Sequence, residues 1–408
     1  MKNVTRIFSV FILISFVSCE KSNSPEIANE NINPPQIELK TEQVVESSNR
    51  FGIDLFKAVS ANSDENLMLS PLSAGVALTM LLNGCNENTY NQIHQMLYYN
   101  NLNLNEINKT YQKLLCDLLS SDTDIKVAIA NSSWCNNNFN VKERYSDTLQ
   151  SVFSAHIQSL DFGLSSSLDT INHWAFDNTF GKIPVILDEL KSEDVMFLMN
   201  ALYFKGNWTN PFDIQNTQYK AFYTLPGNPV QTMTMLGQIK LKIFEGDGYL
   251  AVELPYGNAN YSMVILLPEN DLDSCIHTLN FPIWKQITNY FDTTNQISEV
   301  RISLPRFTFS CKYLLNDQLK ALGMTEAFSP NLANLSGISD APIYVSLVSQ
   351  DAFIEVNEKG TEGAAITIIE ITYGEPDYEE IKINKPFLFA IREKTTQTLL
   401  FIGKVVRP

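Results

Sequence analysis

Apolar residues recur along this chain with two different periods, and the period changes near the middle. Phe51, Leu55 and Val59 fall at helical spacing, which predicts an amphipathic helix over residues 44 to 60. Leu67 to Leu69 reads as a short apolar strand. Ser70 and Pro71 then make a good helix start, with Ser as the cap, Pro at the first helical position and Gly84 at the stop. Residues 106 to 120 and 143 to 155 also have helical character. Residues 168 to 181 place Ile171, Trp174 and Ala175 on one helical face. Val195 to Phe204 (VMFLMNALYF) is nearly continuous apolar sequence and predicts a central strand covered on both faces. After residue 230 the alternation is that of strands: Ile239, Leu241 and Ile243; Leu250, Val252 and Leu254; Val300, Ile302 and Leu304. YSMVILLPE and LLFIGKVVRP add two more. Helices early and strands late make the class α+β.

Composition narrows the choice of partners. The 408 residues are 44% apolar, enough to bury a large core. A net charge of −16 argues against nucleic acid, polyanions or anionic membrane surfaces as general partners. The N-terminus has the make-up of a targeting segment. Lys2 and Arg6 precede the apolar stretch Ile7 to Val17, too short to span a bilayer comfortably. That stretch ends at Phe16-Val17-Ser18-Cys19, which resembles a bacterial lipobox. The resemblance implies lipidation of Cys19 and a membrane partner through that lipid, since two or more acyl chains anchor stably. An ordinary secretory signal is the alternative. The expected organisation is a signal peptide over 1–18, a lipidated N-terminus and polar tether over 19–43, and one domain over 44–408. Without Cys19 an odd number of cysteines remains (Cys85, Cys116, Cys135, Cys275 and Cys311), so buried free thiols are expected.

Ordinary enzyme chemistry finds little support. The four histidines, His94, His156, His173 and His277, are scattered without metal-ligand spacing. No GxSxG elbow occurs, and Gly246-Asp247-Gly248 reads as a turn. The chain is expected to be no enzyme and to need no cofactor or metal. One segment stands apart. Asn357 to Gly374 (NEKGTEGAAITIIEITYG) joins five small residues, Gly360, Thr361, Gly363, Ala364 and Ala365, directly to strand-prone sequence with no partner segment close by.

NEKGTEGAAITI closely resembles the reactive-loop hinge of serpins. Other blocks agree in order: NLMLSPLSAGVALTMLLNG, INHWAFDNTFGKI, NALYFKGNW, VELPYG, ISLPRF, LGMTEAF and KPFLFAIRE. Together they cover about residues 44 to 408. The resemblance implies a serpin fold of three β-sheets with eight or nine helices and an exposed reactive-centre loop. It also implies irreversible suicide-substrate inhibition, in which a protease cuts the loop, is held as an acyl-enzyme, and the loop inserts into the central sheet. Target proteases are then the covalent partners, and the chain is expected to act as a monomer. The alternative is a non-inhibitory serpin serving as an envelope binding protein. Gly363, where the family usually has Ala, weighs toward that alternative.

Strand alternation gives the loop two faces. Thr361, Gly363, Ala365, Thr367, Ile369 and Ile371 share one, and none is charged. The other carries Glu362, Ala364, Ile366, Ile368 and Glu370, expected to meet solvent. By resemblance, Glu358, Gly360, Thr361, Glu362, Gly363, Ala364 and Ala365 form the hinge. Ser70, Ser73 and Asn200 match the family's polar cluster under the central strands, with Gln350 where a His is usual. Glu358 matches the point of first insertion, with Arg306 as its expected partner and Trp208 nearby. Counting along the hinge in the family's register puts the reactive bond at Gly374-Glu375, and counting back from Asn384-Lys385-Pro386-Phe387 puts it there or one residue later; Gly is a poor specificity residue, so Tyr373-Gly374 is the favoured cut. Tyr373 favours a chymotrypsin- or subtilisin-like serine protease. Cutting after Thr372 or Ile371 by elastase-like enzymes is the runner-up, and papain-like cysteine proteases also form acyl-enzymes.

Overall fold

The computed structural model describes residues 39–120, 125–224, 229–361 and 379–408. Helix α1 (Leu39–Ser60) leads to β1 (Leu67–Leu69), α2 (Pro71–Leu82), α3 (Glu87–Met96) and α4 (Leu104–Ser120). Next come β2 (Ile125–Asn136), α5 (Glu143–Phe153), β3 (His156–Leu160), α6 (Ser165–Asn178) and β4 (Met196–Asn207). Strands then dominate: β5 (Gln218–Phe222), β6 (Val230–Gly246), β7 (Tyr249–Tyr256) and β8 (Tyr261–Pro268). Helices α7 (Leu272–Thr278) and α8 (Phe281–Thr293) precede β9 (Ser298–Pro305), β10 (Phe307–Leu314) and α9 (Asn316–Ala321). The last strands are β11 (Ser349–Asn357), β12 (Gly360–Thr361), β13 (Glu380–Lys382), β14 (Phe387–Glu393) and β15 (Leu399–Val405).

The described residues thus hold nine α-helices, and their strands form three sheets. One runs β10-β11-β12-β4-β2-β3. The other two share the long strand β6: β1-β15-β14-β8-β7-β6 on one side, and β5, β9 and β13 around β6 on the other. The class is α+β, with the two-sheet core against α1 and α2. Helix α2 shows why the local sequence suffices there. The Ser70 hydroxyl accepts from the Ser73 amide, Pro71 needs no amide partner, and nearly every residue of the helix is buried.

β4 is covered on both faces, by different layers. Its even-numbered side chains face the main core with α2, while Phe197 and Met199 pack with Ile171, Ala175, Ile183, Ile186 and Leu187. The chain between α6 and β4 is therefore a strap over the sheet's outer face. Helices α7, α8 and α9 interrupt the strand-rich second half, and α3 in the first half has no counterpart among the expected elements either; α7 and α9 are too short to show a period, whereas α8 buries Trp284, Ile287, Thr288 and Phe291 at helical spacing that could have been read. Cys85, Cys135 and Cys275 are buried free thiols, and burial pushes the Cys275 thiol up to about 11.

Candidate functional site

The candidate site is the strip between β4 and β11. β4 pairs with β2 at eleven positions, and β11 pairs with β10 at eight. Among the described residues, β4 and β11 are not paired with each other. Only β12, two residues long, joins them, antiparallel to both. Gly360 lies between Asn207 and Asn357, and Thr361 between Gly206 and Val356.

The upper end of this strip is held by a dense set of bonds. The Glu358 carboxylate accepts from Arg306 Nε at 2.7 Å and from the Thr217 hydroxyl at 2.5 Å. Burial pushes the carboxyl up, but these bonds outweigh it and hold the group below the usual carboxylate range. The Trp208 indole donates to Asn357 O at 2.9 Å and stacks on Tyr256 at 4.4 Å. Backbone amides of Trp208 and Phe212 donate to the carbonyls of Lys359 and Glu358. The Tyr256 and Thr361 hydroxyls are 2.7 Å apart in a buried pair. Gly360 is required there on two counts. Its φ is +147°, and a Cβ would stand 2.0 Å from Gly206 O. Thr217 lies in none of the quoted blocks, and only contact reveals it; Tyr256 lies in the VELPYG block, but its link to Thr361 shows only in the structure.

Lower down, Gln350 and Ser70 form a reciprocal pair. Gln350 Nε2 donates to Ser70 O and its Oε1 accepts from the Ser70 amide, both at 2.9 Å. Ser73 joins through Ser70 Oγ at 3.2 Å. Asn200 instead donates to Asn131 Oδ1 at 2.5 Å, and its own buried Oδ1 has no partner among the described residues. Leu198, Asn200 and Leu202 are only half-buried although they face the core. Asn131 escaped sequence reasoning because nothing in its neighbourhood distinguishes it from an ordinary strand residue.

The strap spans the strip from outside. Ile183, Ile186 and Leu187 anchor it on the β4 side, where Asn172 holds the amides of Ile186 and Leu187 at 2.9 Å. Two ionic contacts tie it to the β11 side. Lys182 Nζ lies 3.7 Å from Glu355 Oε2 and 4.7 Å from the Phe353 ring centre. Asp188 meets Lys312 of β10 at 2.6 Å. Lys312 stands opposite Asp351 of β11, whose carboxyl is pushed up to about 6 by burial and by the Asp188 charge, against the pull of Lys312.

Glu362, Gly363, Ala364 and Ala365 of the hinge, Tyr373, Gly374 and Glu375 at the reactive bond, and Cys19 all lie outside the described residues.

The arrangement has known relatives. The family model described as "Serpin (serine protease inhibitor)" matches residues 46–408. The human leukocyte elastase inhibitor is 32% identical over 384 residues, covering 90% of this chain and 100% of that protein. Among solved structures, a thermophilic serpin, tengpin, in its native state matches with a TM-score of 0.83 and 31% identity, over 94% of this chain and 98% of that one. A thyroxine-binding globulin complexed with thyroxine matches at TM-score 0.81 and 26% identity, over 90% and 99% of the two chains. With the family model spanning nearly all of the described residues, and relatives aligned over almost their full length, this chain belongs to the serpin family.

Proposed function

We propose that this chain is an exported bacterial inhibitor, held to the cell envelope by a lipid on Cys19, that traps serine proteases covalently. Serpins are protease inhibitors rather than catalytic enzymes, and one relative is named as an inhibitor of leukocyte elastase. The observation that carries the reading is β12, a two-residue strand seated between β4 and β11, which are otherwise unpaired with one another among the described residues.

Continuing that register gives a concrete inserted state. Gly363 falls between Phe204 and Ile354, Ala365 between Leu202 and Ala352, and Thr367 between Asn200 and Gln350. Gly363 meets the bulky Phe204 and Ile354, Ala365 meets Leu202 and Ala352, and the polar Thr367 meets the two amides. Each added residue gains backbone hydrogen bonds on both sides, so insertion runs downhill. A native form stored above that state is protected by a barrier rather than by equilibrium.

Trapping follows from timing. The protease serine oxygen attacks the Tyr373 carbonyl carbon, the bond to the Gly374 nitrogen breaks, and the Gly374 amine leaves with a proton. Tyr373 then remains esterified to the protease. Insertion carries it away from Gly374 before water completes the hydrolysis. Tyr373 suits a deep aromatic pocket, so chymotrypsin- and subtilisin-like enzymes are the first targets. Asp377, Glu379 and Glu380 repel enzymes with acidic surfaces beyond the cut.

The test mixes the protein with chymotrypsin and with subtilisin. An SDS-stable complex, and a nicked form melting well above the intact form, are expected. Clean cleavage with no complex and no gain in melting temperature would refute inhibition and leave a non-inhibitory binding protein. Mass spectrometry of the released peptide locates the cut.

A further inference from the structure

The sheet of β5, β6, β9 and β13 does not lie flat. β6 pairs with β5 on one side and with β9 on the other, and β13 pairs with β9. At ordinary strand spacing, β5 and β13 would stand about 14 Å apart. Instead the Tyr223 amide, just past β5, donates to Asn384 O, just past β13, at 2.8 Å. The sheet therefore curls until its two edges meet. An open groove of about 730 Å³ lies in the curl. Its size falls among ordinary ligand pockets, roughly 300–1,000 Å³. No residue of β4 or β11 lines it.

The lining says what chemistry fits. Lys220 and Lys382 bring two cations, and no carboxylate lines the groove, in a chain with 45 acidic and 29 basic residues. Glu380 meets Lys382 at 3.0 Å, whereas Lys220 has no ionic partner among the described residues. The groove therefore selects an anion. Tyr219 and Tyr223 offer it two large rings that are 69% and 53% exposed, amphipathic surfaces able to cover a ring and still hydrogen-bond. Thr234 and Ser303 add buried hydroxyls. The Thr234 hydroxyl donates to Thr232 O at 3.2 Å, so toward a ligand its oxygen can only accept. The side-chain amides of Gln231 and Asn384 can donate and accept. Groups of both kinds suit a ligand rich in hydroxyls. An extended peptide fits less well, because the two edges that would take an extra strand are tied to each other by the Tyr223–Asn384 bond.

We propose that this curl is a binding site for a phosphorylated sugar. Lys220 and Lys382 take the phosphate as point charges, the rings of Tyr219 and Tyr223 cover the sugar, and Thr234, Gln231 and Asn384 bond its hydroxyls. The site does not rest on the inhibitor reading above, since it uses no residue of the hinge. A ligand there touches β5, β6, β9 and β13 together. It therefore stabilises the curled sheet it binds and holds β13, which follows the reactive loop, in place.

The probe is glucose 6-phosphate, titrated into the full chain by calorimetry. Saturable binding is expected, with a raised apparent Tm and an affinity that falls as salt is added. Lys220→Gln removes one cation and Tyr219→Ala one ring. Each is expected to weaken binding about tenfold. Tyr219 is so exposed that its variant keeps the test meaningful if the lysine variant fails to fold. Glucose and inorganic phosphate each carry half of the ligand and should bind at least about tenfold more weakly. Absence of saturable binding, or binding unchanged in both variants, would overturn the site. Inorganic phosphate binding as tightly as the sugar phosphate would also overturn it, by reducing the groove to a general anion contact. So would tighter binding of an acetylated, amidated Asp-Glu-Asp peptide, which would assign the groove to acidic protein segments. A vesicle arm separates two sources of the same chemistry. The Cys19→Ser chain, which carries no lipid at that residue, is floated with vesicles containing a phosphorylated glucosamine lipid and with vesicles lacking it. Flotation only with the phosphorylated lipid, lost in Lys220→Gln, would support the site with an envelope lipid as its source. Binding of glucose 6-phosphate without flotation would support it with a free sugar phosphate instead.

Discussion

Replacing Gly360 by alanine tests the hinge geometry most directly. The new Cβ would stand 2.0 Å from Gly206 O and 2.7 Å from Asn207 Cα, both backbone atoms of β4 that cannot swing away. The native φ of +147° is also nearly closed to any residue but glycine, at about 1–3 kcal/mol. The cheaper response is for β12 to leave the sheet. Leaving breaks the bond between the Thr361 and Tyr256 hydroxyls and strands a fully buried tyrosine hydroxyl, which costs about 1–3 kcal/mol. With the lost strand pairing, the native form should weaken by about 2–4 kcal/mol. For a chain of this size that lowers the apparent Tm by about 3–6 °C at a fixed scan rate. Hydrogen exchange at the Thr361 amide should rise to the level of an open segment. Trapping should suffer as well, because insertion then begins from outside the sheet. An alanine variant with unchanged Tm and unchanged exchange at Thr361 would refute the assignment of β12 as a seated hinge.

Three further outcomes are expected. Asp351 carries a carboxyl raised to about 6, so its contribution is present below the ordinary carboxylate pKa and is lost as pH rises through about 6. Asp351→Asn, neutral throughout, should raise the apparent Tm more at pH 7.5 than at pH 5, and equal gains at both would sink this account. Asp188→Asn frees the strap from Lys312 at an exposed ion pair, so stability should change by no more than about 1 kcal/mol. Loop insertion should nevertheless speed up, giving a higher ratio of trapped to hydrolysed protease, with added salt acting the same way on the parent chain. Unchanged partition at all salt concentrations would show that the strap exerts no electrostatic restraint. Cys19→Ser should abolish incorporation of labelled fatty acid and release the chain from the membrane fraction. Persistent labelling would disprove lipidation at that residue.

Much of the fold could be read from residues alone because its signals are local. The Ser70-Pro71 cap, the helical spacing of Phe51, Leu55 and Val59, and the unbroken apolar run into β4 each act within a few residues. The helices α7 and α9 were hidden for the converse reason: they are short, and packing stabilises them more than periodicity announces them, whereas α8 carries a readable helical spacing in Trp284, Ile287, Thr288 and Phe291 that goes unused among the expected elements. The ordered series of family blocks supplied the rest, and it pointed to the pair Glu358 and Arg306 and, separately, to a cluster of Ser70, Ser73, Asn200 and Gln350, of which Asn200 bonds to Asn131 instead.

The chain by itself determined which residues can enter a sheet. Small, uncharged side chains at alternate positions from Thr361 to Ile371 are a property of composition and of the two-residue period of a strand. Only the tertiary structure decided where that strand has room. The separation of β4 from β11, the bonds from Thr217 and Tyr256 to the hinge and the strap from Lys182 to Asp188 involve segments far apart in the chain. Such contacts depend on packing between elements, and no local pattern encodes which distant edge a strand will face.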